Sequence, residues 1–148
     1  MSYQEKRSIV NIITTLLVTG LYYTYVFQTN DISGMSTEEL LRFWSKAMLI
    51  VIPVMIVSKI VVHIVFGVTN TVITKEKQAV FEDERDKLIA LLSTRNAFVI
   101  FGLGFVLSLI MLATGSSINV MFIILIIAGI LSELFDNLSQ LYFHKNGV

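Results

Sequence analysis

Four ionisable side chains stand in stretches that are otherwise apolar. Lys59 and His63 lie in AMLIVIPVMIVSKIVVHIVFGV, and Glu133 and Asp136 lie in the last apolar stretch of the chain. A charge placed in hydrocarbon costs about 2.5–3.5 kcal/mol on insertion scales, so each of these residues needs either a partner or a purpose. The residue types suit two chemistries. Lys and Glu can form an ion pair, and a His beside a carboxylate can exchange a proton near neutral pH.

Depth makes the pairing specific. Along a helix, Lys59 lies roughly 18 Å from Ala47, and Glu133 lies roughly 20 Å from Val120. Both positions are past the midplane of a ~30 Å hydrocarbon core, at matching depth on helices of the same direction. His63 and Asp136 follow about one turn deeper. The spacing therefore predicts a Lys59–Glu133 pair with a His63–Asp136 pair beneath it. Three readings are open. The pairs can be structural, holding two spans together; they can form a proton, ion or ligand site; or Lys59 can snorkel to the headgroups while His63 and Asp136 sit at the interface. Glu133 has the shortest reach and most needs a partner. Asn11, Thr14, Thr15 and Asn96 are polar residues that could join the same network.

The elements that must carry these residues follow from composition. The chain has 148 residues, 55% of them hydrophobic and 15% charged, with a mean hydropathy of +0.76. A soluble domain carries about a quarter charged residues, so the bilayer is the expected solvent. Four stretches, about 9–27, 47–69, 97–113 and 118–142, each approach the ~20 residues that a helix needs to cross hydrocarbon. Backbone groups in lipid must be satisfied internally, which selects helices. The first stretch is too long for a signal h-region and is followed by tyrosines, so it reads as a retained span.

Lys and Arg set the orientation. Lys6, Arg7, Lys75, Lys77, Arg85, Lys87, Arg95 and Lys145 fall on one side, and Arg42 and Lys46 on the other. By the positive-inside rule both termini and the central loop are cytoplasmic. Tyr22, Tyr23, Tyr25, Phe43 and Trp44 are then expected at the outer interface, where amphipathic rings sit.

Outside the spans, Ser36 and Glu39 form a capping box, and Leu40, Phe43, Trp44 and Ala47 form an apolar stripe. They predict a short helix at about 36–46 lying on the outer surface. Inside, KEKQAVFEDERDKLIALLSTR predicts a helix at about 76–95, with Phe81, Leu88 and Leu92 on one side. Its charges, including Asp83, Glu84, Arg85, Asp86 and Lys87, read either as a solvated face or as a docking surface for a cytosolic partner. The run is too short and too neutral to bind nucleic acid. Pro53 is expected to kink the second span. Gly104 with Ser108, and Ala128 with Ser132, have the spacing of close helix contacts and leave a homo-oligomer open.

Other chemistries find no residues. The chain has no cysteine, and its two histidines, His63 and His144, are far apart in sequence. That removes disulfides, thiolate catalysis and thiolate metal sites, and no spaced metal set remains. No nucleophile–base arrangement or phosphate loop is legible, so neither an enzyme nor a cofactor is expected.

The run DERDKLI at Asp83–Ile89, with EKRSIVNII at the start and LYFHKNGV at the end, resembles an uncharacterised family of small bacterial four-helix inner-membrane proteins. Members are often encoded beside a helix-turn-helix regulator. The resemblance implies a regulatory or accessory membrane protein and carries over no catalytic residue. The expectation is an all-α integral membrane protein of four spans in two antiparallel hairpins, with both termini cytoplasmic, in the bacterial inner membrane. Its expected role is that of a non-enzymatic sensor or regulatory protein, and the alternative is a small oligomeric proton-coupled transporter or channel.

Overall fold

The computed structural model describes residues 1–74 and 84–147. It contains four helices: α1 (Tyr3–Thr29), α2 (Thr37–Thr74), α3 (Glu84–Ala113) and α4 (Ile118–Asn146). All four are long and apolar enough to cross a membrane. The segment expected to begin the cytoplasmic helix, with Phe81 and Asp83, lies outside the described residues.

Local chemistry explains the helix ends. Ser2 and Glu5 form a capping box on α1, with Glu5 N–H donating to Ser2 Oγ at 3.2 Å and Ser2 N–H to Glu5 Oε2 at 3.1 Å. Ser36 and Glu39 do the same at the start of α2, at 3.3 and 2.8 Å. Helix α3 ends on Gly115, which has φ +89°. Ser116 N–H donates to the Met111 carbonyl and Gly115 N–H to that of Leu112, a Schellman closure that only a residue tolerant of positive φ makes cheaply.

The interior mixes small polar residues with a few apolar ones, and the exterior is apolar. Ser8, Thr14, Thr15, Thr19, Ser93, Ser108 and Asn137 are buried, whereas Leu17, Ile56, Ile64, Leu91, Phe98 and Leu103 are exposed. In water this arrangement would leave most of the hydrophobic driving force unused. In lipid it is the expected one, because small polar residues let backbones approach and hydrogen-bond between helices.

Helix α4 is the hub. It packs along α3, along α1 and, more lightly, along α2. The α3–α4 seam is very close at Gly104, where an added Cβ would come within 2.2 Å of Ala128 Cβ. Ser108 is fully buried, and Ser132 Oγ donates across the seam to the Ala97 carbonyl at 2.8 Å. The small-residue faces are thus consumed inside the chain, so they do not argue for a second copy.

The short outer helix at about 36–46 is not a separate element. It is the first three turns of α2, which continues unbroken through Pro53 to Thr74. In its apolar stripe Trp44 and Ala47 turn inward and are buried, and Leu40 and Phe43 are half-buried. No glycine or proline interrupts residues 37–52, so nothing stops the helix.

Candidate functional site

Three polar layers are stacked along the bundle. At the end near the 30–36 turn, Trp44 is fully buried. It stacks on Phe122 at 5.8 Å and meets Phe27 and Phe43 edge-on. Its indole N–H donates to Asn119 Oδ1 at 2.8 Å. Trp44 is therefore a plug inside the helices and not part of an interfacial belt. A buried indole N–H needs an acceptor, and Asn119 supplies it. Nearby, Tyr22 OH donates to the Ala47 carbonyl at 2.6 Å.

The middle layer contains Glu133. Its Oε1 is paired with Lys59 Nζ from α2 and accepts from Thr15 Oγ1 of α1 at 2.6 Å. Thr15 is fully buried, and its carbonyl accepts from the Thr19 hydroxyl. One carboxylate therefore ties α4 to both α1 and α2. Above it lies an apolar cavity of about 270 Å³, bounded by Thr19, Tyr23, Met48, Met55, Phe101, Ile130 and Glu133 among others.

His63 and Asp136 do not form the second pair. No ion pair joins them among the described residues; the charges acting on His63 are those of Arg7 and Lys59. Asp136 Oδ2 instead accepts from Gln140 Nε2 at 2.9 Å, with Thr94 of α3 beside the carboxylate. The reason is rotation. Three residues turn a helix by about 300°, so Asp136 points roughly 60° away from Glu133, toward α3 and away from α2. Depth alone does not reveal this.

The third layer closes the end that carries the termini. Asp86 Oδ1 lies 3.7 Å from His144 Nδ1, and Asp86 Oδ2 accepts from Gln4 Nε2 at 3.3 Å. Asp86 joins α1, α3 and α4, so within the charged run it serves an internal contact. Ile89 and Ser93 are the buried residues of that turn, whereas Glu84, Arg85, Lys87 and Leu88 are exposed. Tyr3 and Phe66 meet at the same level, with ring centroids 5.3 Å apart.

Two further candidates separate. Asn96 Nδ2 donates to Ser139 Oγ at 3.3 Å and belongs to the α3–α4 seam. Asn11 is half-buried, and no side-chain hydrogen bond to it occurs among the described residues. Gln4, Gln140, Asn119 and the Asp86–His144 contact carried no chemical signature in the sequence. Only Gln140, one turn beyond Asp136, had a spacing that suggested contact.

No protein family, curated protein or solved structure matches this chain. The site must therefore be read from its own chemistry. Among the described residues no group of His, Asp and Glu is arranged to hold a metal ion. Three polar atoms, Ser93 Oγ, Asp136 Oδ1 and Asn137 Oδ1, are buried without a hydrogen-bond partner. All three belong to the half of the bundle between Glu133 and Asp86.

Proposed function

We propose that this chain is a non-enzymatic sensor or regulatory protein of the bacterial inner membrane, with four spans in two antiparallel hairpins and both termini cytoplasmic. The observation that carries this reading is the position of Glu133. It sits at the foot of a cavity, tied to α1 and α2, on the same helix whose far end places His144 against Asp86. Eleven residues of unbroken helix, about 16 Å, separate the two points. A change in what Glu133 holds can shift or rotate α4 as a rigid rod, which would load the Asp86 contact at the start of α3. The exposed charges Glu84, Arg85 and Lys87 would then be the surface read by a cytosolic partner. The resemblance of the DERDKLI run to proteins encoded beside helix-turn-helix regulators supports a regulator of that kind as the partner.

Hydrogen exchange in lipid nanodiscs tests the coupling. Glu133→Gln is expected to change protection of the amides at 84–92, a region that extends from about one to more than three helical turns beyond the level of the substitution. Unchanged exchange there, with changes confined to residues near 133, would remove the sensor reading.

Proton-coupled transport is the second reading. It draws on the unpartnered Ser93, Asp136 and Asn137 atoms, which could line a water path from Glu133 to the termini. The apolar cavity and the Trp44 plug stand against it, because they offer almost no polar groups from Glu133 to the opposite face. pH-driven flux in liposomes that Glu133→Gln abolishes would favour transport over sensing.

A further inference from the structure

We propose that the cavity above Glu133 is a binding site for a lipophilic primary ammonium ion, whose head replaces Lys59 on the Glu133 carboxylate. The proposal rests on the sensor reading and names the ligand that the sensor would detect.

The chemistry of the walls selects the ligand class. The body of the cavity is aliphatic and thioether, with Met48, Met55, Leu125 and Ile126 on its sides. Two methionines make such a wall adaptable to chains of different shape. Leu49 and Ile52 line it and are also exposed, so the cavity opens on the apolar surface and can be entered from lipid. At its foot stands Glu133, a group that only accepts hydrogen bonds when ionised. Oε1 serves both Thr15 and Lys59, and no hydrogen bond to Oε2 occurs among the described residues. A ligand head that ends against Glu133 must donate. An anionic head would be repelled by the carboxylate, whereas a cation restores the pairing that the buried charge requires.

The exchange conserves buried charge. The ammonium arrives at Glu133, and Lys59, whose side chain is 35% accessible, withdraws toward the headgroups on its flexible stem. No net charge enters the hydrocarbon. The exchange also alters the fold. Helix α2 touches α4 only lightly, and Lys59–Glu133 and Trp44–Asn119 are polar ties between the two helices. Losing the first loosens α2 from α4 at the level of Glu133, while the Trp44–Asn119 tie remains as a pivot.

Equilibrium dialysis of radiolabelled octylammonium against the full chain in nanodiscs, with empty nanodiscs subtracted, tests the site. Saturable binding of one molecule per chain is expected. Glu133→Gln should weaken it by at least about tenfold, and Lys59→Met should tighten it, by about tenfold if the pair is closed nine-tenths of the time. Gly129 supplies an independent variant. It lines the cavity, and an added Cβ there meets nothing within 4 Å. Gly129→Leu should therefore fill the space and abolish binding while leaving the Lys59–Glu133 pair in place. Absence of saturable binding to the native chain, or binding indifferent to both Glu133→Gln and Gly129→Leu, overturns the proposal. If octylammonium does not bind but exchange at 84–92 still responds to Glu133→Gln, the ligand class fails and the sensor reading stands.

Discussion

The Lys59–Glu133–Thr15 cluster predicts an asymmetry between its two charged partners. Lys59→Met leaves the Glu133 carboxylate with the Thr15 hydroxyl as its one donor among the described residues. Stranding one partner of a buried pair costs about 3–5 kcal/mol. The side chains are 35% and 26% accessible, so some relaxation is available and the lower end, about 3 kcal/mol, is expected. Glu133→Gln is milder. The amide oxygen can still accept from Thr15, and the freed ammonium can reach the headgroups, so the loss should be about 1–2 kcal/mol, the scale of an interhelical hydrogen bond. Changing both residues removes the stranded charge, so the double variant should be more stable than the sum of the single losses by roughly 2–3 kcal/mol. Unfolding by SDS titration from mixed micelles measures all four corners of the cycle. Equal costs for the single variants, or additive losses in the double variant, would refute the reasoning.

Three further perturbations probe other layers. Gly104→Ala should cost about 1–3 kcal/mol through overpacking, since the new Cβ would come within 2.2 Å of Ala128 Cβ; adding Ala128→Gly should recover most of the loss in the same titration. Trp44, the single tryptophan, should emit in the blue and resist both aqueous and lipid-borne quenchers, and Trp44→Phe should cost about 1–3 kcal/mol by leaving Asn119 Oδ1 without its donor. Strong quenching from either phase would contradict its place in the interior. At the α2 cap, the Ser36 backbone and side-chain hydrogen bonds hold the Glu39 carboxyl below its ordinary range. Its folded value is the lower one, so the cap's contribution is present above the unfolded value and fades as pH falls through the folded one. Protection of the Ser36 and Glu39 amides, taken relative to the intrinsic exchange rate at each pH, should therefore fall on acidification, and Glu39→Gln should flatten that dependence.

Some of this architecture was legible in the chain and some was not, for one physical reason. Span positions follow from apolar length, and caps follow from local spacing such as Ser36 with Glu39. Depth along a helix is also readable, which is why Lys59 could be matched with Glu133. Rotation about the helix axis is not. In a soluble helix the apolar stripe marks the inward face, but here the outward face is apolar and the inward face is mixed, so apolar character does not mark it. His63 and Asp136 share a depth and yet face different neighbours, Arg7 and Lys59 in one case, Gln140 and Thr94 in the other. Trp44 illustrates the same limit. Its level along the helix was readable, but whether it faced outward or toward Asn119 was not. The contact of Asp86 with Gln4 and His144 joins residues from three helices, and no local pattern announces it.

The central claim is that Glu133 is an ionised carboxylate held at membrane depth by Lys59. Infrared difference spectroscopy between the native chain and Glu133→Gln in lipid tests it most directly. The account predicts that the band lost on substitution is that of an ionised carboxylate, and that in Lys59→Met the corresponding carboxylate band shifts as its counter-ion is removed. A native Glu133 that absorbs as a protonated acid, or a carboxylate band indifferent to Lys59, would contradict it.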